Sequence, residues 1–94
     1  MEPEKSETMS SEPLPAVDFG TFVLSLGSSV LLYLGELKAP DAPGAINLPL
    51  AKQTIDILGM LQDKTRGNLT REETELCENL LYDLRMKYVA AKKA

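Results

Sequence analysis

Residues 19–35 read FGTFVLSLGSSVLLYLG, seventeen positions without a charge, in a chain that is elsewhere charged, polar or only half apolar. A chain carrying such a run must hide it. Three readings compete: a buried helix, a transmembrane helix and a signal sequence. A signal sequence needs a basic leader, and here Glu2, Glu4, Glu7 and Glu12 stand against Lys5 alone. A bilayer span needs about 20 consecutive apolar residues. The run is shorter, is diluted by Thr21, Ser25, Ser28 and Ser29, and is bracketed by Asp18 and Glu36, where a membrane interface favours Trp, Lys or Arg. The buried helix is the reading adopted.

At 100° per residue, Phe19, Phe22, Val23, Leu26, Val30, Tyr33 and Leu34 share one face, the expected core surface. A second line, Gly20, Leu24, Gly27 and Leu31, is spaced four, three and four, a heptad-like seam alternating small and large residues. Thr21, Ser25 and Ser28 make the third side, interrupted by Leu32. A helix apolar over most of its girth is buried by more than one neighbour. Burying its ten large apolar side chains is worth roughly 15–30 kcal/mol gross. Backbone ordering, at about 1–2 kcal/mol per residue, largely cancels that sum. Partial burial therefore leaves the helix poorly supported, and two short neighbours are expected to leave part of it for a partner.

The 94 residues bound the chain to one domain. Residues 1–17, MEPEKSETMSSEPLPAV, are rich in Pro, Ser and Glu and are expected to be a disordered acidic tail. That leaves about 75 residues, a size at which a single core is marginal and self-association a common remedy. Cys77 is the only cysteine and there is no histidine, so neither an intrachain disulfide nor a zinc site of the usual ligands is available. Of the net charge of −4, the tail supplies most. No basic footprint for nucleic acid is present, since Lys92 and Lys93 at the end are expected to be only a basic tail over 92–94.

Helices are expected at about 18–35, 48–66 and 70–91. Asp18 is the expected N-cap of the first and Gly35 its terminator. The link ELKAPDAPGAIN, with Pro40, Pro43 and Gly44, reads as irregular. Pro49 sits in the first turn of the second helix, where a missing amide costs nothing. Leu50, Ala51, Thr54, Ile55, Ile57, Leu58 and Leu61 cover its apolar face, with Gly59 on the polar side. Thr70 and Glu73 fit a capping box. That turn also contains the glycosylation triplet Asn68-Leu69-Thr70, which without a secretion signal reads as a turn. In the third helix, Cys77, Leu80, Leu81, Leu84, Tyr88 and Ala91 form the core stripe, while Tyr82, Met86 and Val89 line up away from it. Cys77 then reads as a buried small hydrophobe.

The phrases DFGTFVLSLGSS, LAKQTIDILGMLQDKTRGNLTREE and NLLYDLRMKYV resemble a small bacterial family catalogued as domain of unknown function 1844. The resemblance runs from Asp18 to Val89, and the link at 39–46 departs from it. It implies a small, cytosolic, helical protein with no assigned activity, and it supplies no catalytic residues to carry over.

No phosphate-binding glycine loop and no His-dependent triad is present. Asp56 and Asp83 fall on solvent-facing sides rather than together. The expectation is therefore an all-α, three-helix antiparallel bundle unit over 18–91 that self-associates. It is expected to be cytoplasmic and non-enzymatic, without cofactor or metal. The expected interface is Gly20, Leu24, Gly27 and Leu31, joined by Tyr82, Met86 and Val89, with a second copy or another helical protein as partner. The alternatives are a peripheral membrane protein inserting helix 19–35, or a binder of a small apolar ligand lined by Phe19, Phe22 and Tyr33.

Overall fold

A helix begins where something accepts the amides that its first turn leaves free, and three side chains do so here. The Asp18 carboxylate accepts from the Thr21 amide at 2.7 Å. Asn47 Oδ1 accepts from the Leu50 amide at 3.0 Å. Thr70 Oγ1 accepts from the Glu73 amide at 3.1 Å, while the Thr70 amide donates back to Glu73 Oε1 at 2.9 Å, closing the capping box. These caps open α1 (Phe19–Tyr33), α2 (Leu48–Lys64) and α3 (Arg71–Lys93).

The computed structural model describes residues 16–37 and 46–94, and within them the chain is all-α, with no strand. The expected tail falls on residues 1–15, outside the described residues, except for Ala16 and Val17, which are exposed and non-helical. The Pro-rich part of the link, 38–45, also lies outside them.

The helix ends are built from the backbone. Gly35, at φ +81, takes the left-handed conformation that lets α1 turn back on itself. The Glu36 amide then donates to the Leu31 carbonyl at 2.8 Å and the Gly35 amide to that of Leu32 at 3.1 Å. The Asn47 amide donates to the Tyr33 carbonyl at 2.8 Å, so α2 starts beside the end of α1. Gly67, at φ +88, serves the turn from α2 into α3. Lys92 and Lys93 do not form a separate tail: they sit in the last turn of α3, where cations suit the negative end of the helix dipole.

Each helix packs on both others. The core takes Val23, Val30 and Leu34 from α1 and its cap, Ala51, Ile55 and Leu58 from α2, and Cys77, Leu81 and Leu84 from α3. Thr54 is buried among them, and its hydroxyl donates to the Leu50 carbonyl at 2.9 Å, so it carries no unpaired group inward.

One expected face is corrected. The buried positions of α1 are Val23, Gly27, Val30 and Leu34. Their centre is turned by about 50° from that of the expected core face, at 100° per residue. Phe22, expected in the core, is 48% exposed. The cause is Gly27. Lacking a side chain, it lets α3 approach so closely that a Cβ there would lie 3.0 Å from Leu80 Cδ2. With Gly27 turned to α3, Phe22 falls at the margin of the buried face and stays half exposed.

Candidate interaction surface

The seven expected interface residues divide. Gly20 and Gly27 face α3 of the same chain: a Cβ at Gly20 would meet Leu76 Cδ2 at 3.5 Å, and one at Gly27 would meet both methyls of Leu80. Leu31 is partly buried and packs against the core. Leu24, at 50% exposure, is the one seam position that stays open. The two glycines of the line thus face α3 of their own chain. Leu76 is the residue that the sequence reading missed opposite them. Its signal was present, since it lies four before Leu80 and beside the core stripe of α3.

The other three expected residues stay together on the outside. Tyr82, Met86 and Val89 are 69%, 55% and 47% exposed and, spaced four and three, share one face of α3 opposite Cys77, Leu81 and Leu84. Scattered exposed apolar side chains are ordinary; three in helical register on one element make a stripe. On the α2 side, Tyr82 and Met86 border an open groove of about 380 Å³ lined also by Arg85 of α3 and, across it, by Gln62 and Arg66. The Arg85 guanidinium reaches across α2, 3.1 Å from where a Gly59 Cβ would stand.

Charge is graded along α3. Its first nine residues carry Arg71 against Glu72, Glu73, Glu75 and Glu78. Its last seven carry Lys87, Lys92 and Lys93 with no acid. Among the described residues, two weak exposed pairs lie along the gradient: Arg71 with Glu75 at 3.4 Å and Lys87 with Asp83 at 3.8 Å.

Reactive chemistry is sparse. Cys77 is buried, and burial pushes its thiol up, with Glu73 and Glu78 adding to the shift. The thiolate needed for nucleophilic chemistry is thus disfavoured. Among the described residues, no group of three His, Cys, Asp or Glu side chains is placed to hold a metal ion. No helix among them is long and apolar enough to cross a membrane. Phe19 and Tyr33, two of the three residues expected to line an apolar ligand pocket, pack instead against the core.

Compared with known proteins, residues 16–90 match the family model described as Domain of unknown function (DUF1844). Neither the curated proteins nor the solved structures give a match.

Proposed function

The chain belongs to the DUF1844 family, a domain of unknown function, and on that premise we propose that it acts as a non-catalytic interaction module that associates with itself. The observation that carries this is the stripe Tyr82, Met86 and Val89, kept in helical register on the outer side of α3 although none of the three contributes to the core. Exposed apolar groups that one chain does not use for its own folding, arranged along one rod, are what a helical partner buries.

Nine buried apolar residues among the described ones form a small core for a unit of this size, and association adds stability by mass action. Sedimentation equilibrium on the full chain tests the reading. A monomer–dimer or higher equilibrium in the micromolar range is expected. A folded protein that remains monomeric into the high micromolar range refutes it.

A further inference from the structure

Six residues lie along the outer face of α3 at alternating intervals of four and three: Glu75, Asn79, Tyr82, Met86, Val89 and Lys93. This is heptad spacing on a face that the chain's own helices leave uncovered. The set is also symmetric. The intervals read the same in both directions about the level of Leu84, pairing Tyr82 with Met86, Asn79 with Val89, and Glu75 with Lys93. The span from Glu75 to Lys93 is about 27 Å at 1.5 Å per residue.

From this we infer that the occupant of the α3 stripe is a second copy of the same α3, laid antiparallel across a two-fold axis at the level of Leu84. Charge selects both the occupant and the direction. Antiparallel, the acidic first part of one α3 lies along the basic last part of the other, with Glu75 level with Lys93 of the second copy, twice per dimer. Tyr82 and Met86 then meet across the centre. Parallel, Glu75 faces Glu75 and Lys93 faces Lys93, and every end contact repels. An isologous contact requires a patch complementary to itself, and an acid-apolar-base stripe is one.

An acid-to-base gradient also suits the dipole of a lone helix. The gradient points to a docking surface only because the apolar residues between its ends are left outside. Of the two charges nearest the axis, Arg85 is turned toward Gly59 of α2 and Asp83 has Lys87 of its own helix 3.8 Å away, so each has a place to point other than its own copy. Glu75 sits 3.4 Å from Arg71 in a pair that is largely solvated, 88% and 59% exposed on its two sides. Such a pair is weak and readily exchanged.

The inference rests on the self-association proposed above, and charge reversal separates the two. Sedimentation equilibrium at low salt is run on the full chain and on Glu75→Lys, Lys93→Glu, the double variant and Met86→Glu. Circular dichroism confirms helix content, since all three positions are exposed or partly so. Each single reversal is expected to raise the dimer Kd roughly threefold to tenfold, because each breaks two symmetry-related pairs. The double reversal restores these pairs and should return Kd to near the starting value. At high salt the spread among the four should shrink. Met86→Glu should raise Kd roughly thirtyfold or more.

A dimer whose Kd ignores Met86→Glu, or one in which the double reversal is no tighter than the singles, overturns the antiparallel α3 contact while leaving self-association standing. An unmutated chain that is monomeric throughout overturns both.

Discussion

Replacing Gly27 by Ala tests the packing of α1 on α3 directly. In an exposed helix interior, Gly→Ala gains about 0.8–1 kcal/mol. At Gly27 the new Cβ would stand 3.0 Å from Leu80 Cδ2, 3.1 Å from Cδ1 and 3.5 Å from Cγ. Turning Leu80 about χ2 only exchanges one methyl for the other, so relief requires Leu80 to change its χ1 rotamer or α3 to shift by a few tenths of an ångström. Overpacking of this kind costs about 1–3 kcal/mol. The net expectation is a loss of about 0–2 kcal/mol. Its midpoint corresponds to a melting temperature lower by roughly 4–8 °C in a domain of this size.

Gly59→Ala is the control. Its neighbour is the Arg85 guanidinium, 3.1 Å away at the far end of a flexible side chain, which can swing aside. That variant should be more stable by about 0.5–1 kcal/mol. Urea and thermal unfolding followed by circular dichroism, at one fixed protein concentration, measures both. In a Leu80→Ala background the obstacle is gone, and Gly27→Ala should become neutral or stabilising, a coupling that a double-mutant cycle reads. If Gly27→Ala proves as stable as Gly59→Ala in the unaltered background, α3 does not rest on Gly27 in solution, and the account of the rotated core face fails.

Other outcomes follow from local features. Thr70→Ala removes one arm of the capping box and should cost about 0.5–2 kcal/mol in urea unfolding. The Asp18 carboxyl is held below its ordinary value of 3.8, first by the hydrogen bond from the Thr21 backbone and then by the Thr21 side chain. A group whose folded pKa is depressed contributes stability above its unfolded pKa and loses it as pH falls through the folded one. Acid unfolding should therefore weaken α1 from about pH 4 downward. Asp18→Asn, which caps without titrating, should flatten that part of the profile, and an unchanged profile contradicts the assignment. Cys77 should label slowly with a maleimide in the folded protein near neutral pH and rapidly in denaturant. Fast labelling of the native chain would show that the α3 core opens.

What the sequence made legible was local. Asp18, Thr70 and Glu73 could be read as caps because a cap is decided within four residues, and all three bond as the reading required. The three-helix division was equally plain, because Gly35 and Gly67 mark the stops. The rotation of α1 was not legible. A helical wheel weights Phe22 by its size and Gly27 by almost nothing, whereas close packing counts the space that a glycine vacates. That space has meaning only once Leu76 and Leu80 are known to lie over it. For the same reason the sequence did not show that Gly20 and Gly27 face α3 of their own chain. Tyr82, Met86 and Val89 were readable as an outward stripe because spacing alone places them opposite the core of α3. Lys92 and Lys93 were set apart as a tail although no helix-breaking residue precedes them, and α3 runs through both.

Among the described residues, the nine buried apolar side chains of the core are shared evenly, three from each helical segment. Any fragment of two helices thus keeps six of them and exposes those six along the side where the third rod lay. Such a molecule has no sturdy half. It should melt in a single cooperative step, and a protease that severs the join between α2 and α3 should release two pieces that are each unfolded alone and able to recombine when mixed.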